Sequence, residues 1–151
     1  HILRIIRELL NFQPEGKGTD IKGALEYMNN AIKRRGIVFL LSDFFDSGYE
    51  KILGIVGKKH DFVAVTMSDP GEYVLPDVGL VKLKDSETGQ ERFIDTSDKN
   101  FRKLYYAQRM ESQSELKKIL RKNKLDSVSI NTAESYIKPL IDFFRLRERR
   151  W

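Results

Sequence analysis

The sequence predicts an α/β fold, a parallel sheet flanked by helices, and three observations carry that prediction. Ile37 to Leu41 is an unbroken run of β-branched and large apolar residues that stops abruptly at Ser42-Asp43. A strand covered on both faces reads this way. Asp61 to Met67 (DFVAVTM) repeats the pattern, and between the two runs Ile52, Leu53, Ile55 and Val56 fall at helical spacing. Strand, helix and strand in that order form a right-handed βαβ unit. Ligands of such sheets bind beyond the carboxyl ends of the strands, so Asp43 stands where chemistry is expected.

The elements follow in order. His1 to Leu10 places Ile2, Ile5, Ile6, Leu9 and Leu10 on one helical face. No N-cap precedes it, and the expectation is that upstream sequence belongs to the same domain. Asn11 to Gly18, with one Pro and two Gly, is a loop. Thr19-Asp20 caps a helix whose stripe is Ile21, Ala24, Leu25, Met28, Ala31 and Ile32. Lys33, Arg34 and Arg35 are expected in its last turn and Gly36 at its stop. Ser47 or Gly48 opens the next helix, which ends around Lys58 to His60. Leu80 to Leu83 and Arg92 to Ile94 flank a loop over 85–89 and read as a β-hairpin. Asp98 to Asn123 is a long helix with an inner face running from Phe101, Leu104 and Tyr105 through Gln108 and Ser112 to Leu116, Ile119 and Leu120. Asp126 to Ile130 is a third strand, and a last helix from about Ala133 carries Pro139, where a kink is expected.

At 151 residues the chain fits one domain with a real core. No apolar stretch approaches the roughly 20 residues of a membrane span, and no signal peptide is visible. Zero cysteines exclude disulfides, a thiolate nucleophile and thiolate metal ligation, and accord with the expected cytoplasmic location. With only His1 and His60, a multi-histidine zinc site is excluded. Any metal would be a hard cation on oxygen ligands, Mg²⁺ first. Residues 1–96 hold 13 Lys/Arg against 15 Asp/Glu, and residues 97–151 hold 14 against 7. The basic half could face nucleic acid or an acidic protein, although solvated helix faces explain it more simply.

Thr19 at a loop-to-helix junction and Asp43 at a strand end would meet at one rim of the sheet, and both offer oxygen to an ion such as Mg²⁺. GTDIKGAL (Gly18 to Leu25) followed by GIVFLLSDFFD (Gly36 to Asp46) resembles the second and third segments of a von Willebrand factor A-type domain. More narrowly, SDFFD and the stretch from His60 to Thr96 are similar to the bacterial family labelled domain-of-unknown-function fifty-eight, whose members are encoded beside MoxR-type AAA+ ATPases. The resemblance implies a von Willebrand A-like (Rossmann-like) sheet with a β-hairpin insertion. It also implies a metal-ion-dependent adhesion site to which Thr19 and Asp43 would contribute.

The first segment of that site, Asp-x-Ser-x-Ser, occurs nowhere in the sequence. Residues 1–151 are therefore expected to be the carboxy-terminal part of one such domain. Its amino-terminal strands would lie beside Ile37 to Leu41, and without them that edge would invite self-association. The resemblance implies a non-enzymatic adapter for a MoxR-type ATPase, with Mg²⁺ held in the full-length protein and bound poorly by this segment.

Two other functions are open. A Mg²⁺-dependent phosphotransfer enzyme or nuclease would use Asp43 and Asp46, but the chain has no Asp-x-Asp, no phosphate loop and no nucleophile with its base. A nucleic-acid binder would use the basic helix over 98–124, which lacks interleaved aromatics. Several polar residues have simpler roles. His60 ends a helix, Asp69 and Glu72 could border the rim although a turn explains Asp69-Pro70-Gly71, Asp46 caps the helix after it or supports Asp43, and Tyr105-Tyr106 packs.

Overall fold

The computed structural model describes residues 1–13, 18–84 and 89–149. In chain order the elements are α1 (Ile2–Asn11), α2 (Ile21–Ala31), β1 (Ile37–Ser42), α3 (Glu50–Lys59), β2 (Asp61–Ser68), β3 (Leu80–Lys84), β4 (Glu91–Asp95), α4 (Lys99–Lys122), β5 (Asp126–Asn131) and α5 (Ile137–Glu148). Strands β1, β2 and β5 form a parallel sheet in that order, while β3 and β4 pair antiparallel as a separate hairpin. The predicted α/β class and hairpin are both present. Most of the hairpin's expected loop, residues 85–88, lies outside the described residues.

The register sorts the sheet into two faces. Val38, Leu40, Phe62 and Ala64 share one face, and over them pack Ile21 and Leu25 of α2, Leu53 and Val56 of α3, and Leu116 and Leu120 of α4. Leu53 and Val56 are wholly buried, worth about 1.5–3 kcal/mol each. Val63, Val65, Val128 and Ile130 share the other face, covered by Leu140 and Phe143 of α5. Gly57 lets α3 lie close to the turn after α4, since a Cβ there would meet Leu125 Cδ2 at 2.2 Å.

Four expectations need correction. Strand β1 is not covered on both faces: Ile37, Phe39 and Leu41 are 67, 44 and 62 % exposed. Helix α5 lies against β5, and its Phe144 reaches Phe39, with ring centroids 6.4 Å apart. Among the described residues β1 pairs with β2 alone, so it is an edge strand. Helix α2 ends at Ala31 rather than in the basic run, because Ile32 turns extended. Its final carbonyls are served instead by Lys59 of α3, whose Nζ donates to Asn29 O at 2.8 Å.

The inner face of α4 is buried only at Leu116 and Leu120, with Leu104 70 % exposed, because the amino-terminal half of the helix has no core beneath it. Pro139 sits in the first turn of α5, where its lacking N–H breaks no intrahelical bond, and no kink is required. Helix α1 buries none of its apolar stripe.

The lower rim is locked by charge. Arg147 of α5 pairs with Asp61 at the start of β2, and its Nε lies 3.6 Å from Asp126 at the start of β5. All three side chains are less than a third exposed, so this bond is screened less than a surface pair. Arg147→Met is expected to lower unfolding free energy by about 1–3 kcal/mol, since two carboxylates lose their charged partner. Urea denaturation of the two proteins measures it, and an unchanged midpoint would remove α5 from the stabilising framework.

Candidate functional site at the carboxyl rim of the sheet

Strand β1 delivers Asp43 to a loop that is built from its own side chains. Ser42 Oγ accepts from Phe44 N–H at 2.9 Å, and Asp43 Oδ1 accepts from Phe45 N–H at 3.2 Å. Asx and Ser turns of this kind give the backbone a bend that no ladder supplies. Phe44 adopts a left-handed φ of 60°, which costs a non-glycine residue about 1–2 kcal/mol. Burial of its ring against Tyr49, with centroids 5.9 Å apart, offsets that strain. Asp43 Oδ1 is thus committed to the turn, and among the described residues Oδ2 accepts nothing.

Asp46 has a different role from either one expected of it. It does not cap α3, whose N-cap is Tyr49 without a side-chain bond. Its Oδ2 accepts from Ile21 N–H at 2.8 Å, and its Oδ1 accepts from Ser47 N–H at 2.7 Å. Ile21 is the first residue of α2, so Asp46 satisfies a helix donor 25 positions upstream and places a carboxylate on the positive helix end. Asp20, the N-cap, accepts from Gly23 N–H at 2.7 Å. The two carboxylates hold the start of α2, and with it Thr19, against the loop that carries Asp43.

Thr19 and Asp43 line one shallow cleft beyond the strand ends, together with Ser42, Asp69, Glu72 and Thr132. The expectation that they meet at one rim agrees with this placement. Their hydroxyl and carboxylate are hard oxygen donors, suited to Mg²⁺ as a partial set. Among the described residues no group of three or more His, Asp or Glu is placed to hold a metal ion.

The sequence assigned Asp69 to a turn that could border the rim with Glu72, and gave Thr132 no role. The turn is there, with Asp69 Oδ1 accepting from Gly71 N–H at 2.8 Å and Glu72 completing a capping box. In addition Asp69 Oδ2 accepts from the Thr132 hydroxyl, tying the end of β2 to the end of β5. The Thr132 hydroxyl foremost, and then Gly71 N–H, hold the Asp69 carboxyl below its ordinary value. The tie is present above the ordinary carboxylate range and is lost as acid titrates that lowered group. His60 ends α3 as expected, is 2 % exposed, and accepts from Gly36 N–H at 3.3 Å.

A second and larger cleft, about 570 Å³, lies between the 43–50 loop, the sheet and α4. Its floor carries hydroxyls from two strands, with Thr66 in register opposite Ser129 and Ser127 on the same face. Thr66 Oγ1 and Ser129 Oγ are 3.0 Å apart. The alternation of Ser127 and Ser129 with Val128 and Ile130 carried this polar face in the sequence. On the helix side the Arg109 guanidinium stands 4.2 Å over the Phe45 ring, and its Nε donates to Tyr105 OH at 3.1 Å. Gln113 Nε2 donates to Tyr73 OH at 3.2 Å.

A family model described as "Protein of unknown function DUF58" matches residues 1–115, and the chain belongs to that family. It is 26 % identical over 137 residues to Uncharacterized protein MAV169 of Mycobacterium avium, a match covering 90 % of this chain and 80 % of that protein. It is 25 % identical over 137 residues to Uncharacterized protein Rv1480 of Mycobacterium tuberculosis and to Uncharacterized protein Mb1516 of Mycobacterium bovis. Of those two proteins it covers 43 %, under half their length. No solved structure matches the chain. No helix among the described residues is long and apolar enough to cross a membrane.

Two measurements test this local architecture. Asp46→Ala leaves Ile21 N–H unpaired and is expected to cost about 1–2 kcal/mol in chemical denaturation. A midpoint equal to the parent's would mean that α2 is held without the carboxylate. Burial foremost, then Glu50 and Asp46, pushes the Tyr49 phenol from 10.0 up to about 12. Its raised value contributes stability that is whole below pH 10.0 and is lost as pH climbs through about 12. The phenolate absorbance titration should therefore contain a late step that Tyr49→Phe removes, and a variant that loses an ordinary step instead would contradict the burial of this phenol.

Proposed function

We propose that this DUF58 chain is the carboxy-terminal part of a von Willebrand A-like domain and works as a cytoplasmic, non-enzymatic adapter. The observation that carries the reading is the shared rim cleft of Thr19 and Asp43, held together by Asp46 across 25 residues. In this reading Thr19 and Asp43 hold Mg²⁺ in the full-length protein, and a carboxylate from a partner protein completes the ion's shell. The remaining ligands come from an Asp-x-Ser-x-Ser segment on a further strand beside β1. The open edge and exposed outer face of β1 support that placement, since an apolar strand with unpaired backbone groups is a pairing template. Where that strand is lacking, the same edge would favour self-association.

The partner is proposed to be a MoxR-type AAA+ ATPase, which follows from the family resemblance carried by SDFFD and residues 60–96.

Calorimetric titration with Mg²⁺ or Mn²⁺ tests the ion. The 151-residue chain should bind weakly, and a protein extended upstream should bind with an affinity that Asp43→Ala abolishes. An extended protein whose binding ignores Asp43→Ala would sink the metal reading. Capture of the ATPase by the extended protein, lost on chelation, tests the partner.

A further inference from the structure

Two apolar surfaces of this chain lack a cover, and each has the form that fits the other. The first is helix α1, where Ile2, Ile5, Ile6 and Leu9 make one stripe with Leu3 and Leu10 at its margins. These six side chains are 46 to 82 % exposed. The opposite side of the helix holds Arg4, Arg7 and Glu8, with Arg4 Nε 2.8 Å from Glu8 Oε1. That side belongs in water, and a stripe so wide belongs against a core.

The second surface is a groove. Its floor is Ile37, Phe39 and Leu41, which project from the α5 side of β1 in register with Asp61, Val63 and Val65. Its wall is Ile137, Ile141 and Phe144, spaced i, i+4 and i+7 along α5, with Phe144 already against Phe39. Floor and wall residues are 44 to 67 % exposed. A parallel sheet carries helices on both faces, and among the described residues none lies over this row. A ten-residue helix is ~15 Å long and a six-residue strand ~20 Å, so α1 has the length to span it.

Helix-in-groove contacts take aliphatic anchors at i, i+3, i+4 and i+7, the spacing of Ile2, Ile5, Ile6 and Leu9. Within one chain the two surfaces stay apart, since both are exposed. We propose that α1 of a second copy fills the groove, so that two chains form a reciprocal twofold dimer with each helix in its partner's groove. Covering six side chains of each helix and six of each groove, at ~60 Å² apiece, removes on the order of 1,400 Å² from water, the size of a stable interface. The contact uses the face of β1 and leaves its backbone edge open, so it differs from strand-to-strand pairing and coexists with a further strand there.

Sedimentation of the 151-residue protein in EDTA, over a dilution series, tests the assignment. The expected species is a dimer of the 17.6 kDa chain. Leu9→Glu places a carboxylate on the stripe and Leu41→Lys an ammonium in the groove, both at positions more than half exposed in the single chain. Either variant alone should weaken the dimer on the order of 30-fold, because the change strikes both contacts. Mixed in equal amounts, the two variants should dimerise again. The unaltered helix of one then meets the unaltered groove of the other, and the remaining contact pairs the two introduced charges. Strand-to-strand pairing and a misfolded variant both fail to give that restoration. Ile137→Lys probes the same groove from α5 in case Leu41→Lys disturbs β1. A monomer at every concentration, a dimer indifferent to Leu9→Glu, or a mixture no tighter than its parts would each overturn the assignment. With EDTA present, none of these results bears on Mg²⁺ at Thr19 and Asp43, and failure of the metal reading leaves the dimer untouched.

Discussion

The bond from Ile21 N–H to the Asp46 carboxylate is the constraint on which the candidate site depends. It joins the start of one helix to the loop after a strand that comes later in the chain, and so it fixes where two separately encoded loops sit. A helix amino terminus has donors that its own turns cannot satisfy, and a carboxylate satisfies one while meeting the helix dipole favourably. The geometry of Thr19 relative to Asp43 is a consequence. The strained φ of Phe44 belongs to the same device, because the bend that buries its ring also brings Asp46 around to α2.

The sheet itself is asymmetric, and the asymmetry divides its surface into kinds. Over the lower half of one face, Val38, Leu40, Phe62 and Ala64 are apolar and α2, α3 and α4 close on them. Toward the carboxyl ends the same face turns to Ser42, Thr66 and Ser129, and α4 presents Ser112 and Gln113 where apolar residues would otherwise follow. Helix and sheet take up polar residues at the same level, so the cleft between them mixes hydroxyls with the side chains of Phe44, Phe45 and Leu116. On the opposite face α5 covers β2 and β5 and leaves the outer side of β1 bare. The cleft under α4 and the uncovered edge of β1 are two different surfaces, one a concavity of mixed side chains and the other a row of backbone groups.

Much of this was legible in the sequence. The unbroken apolar runs 37–41 and 61–67, with a helical stripe between them, determine a βαβ unit because their periods admit little else. Thr19 and Asp43 stand at element boundaries that a parallel sheet brings to one rim, and the alternation of Ser127 and Ser129 with apolar neighbours marks a two-faced strand. Tertiary structure alone decided the rest. No local pattern tells that Asp46 caps α2 rather than α3, because capping is satisfied by whichever carboxylate the fold delivers. Burial of β1 on one face only depends on which elements lie beside it, which periodicity does not encode. Lys59 replacing the basic run at the end of α2, and Thr132 reaching Asp69, are likewise contacts across 30 and 63 positions. Spacing along a chain fixes which residues share a face, and packing fixes what that face meets.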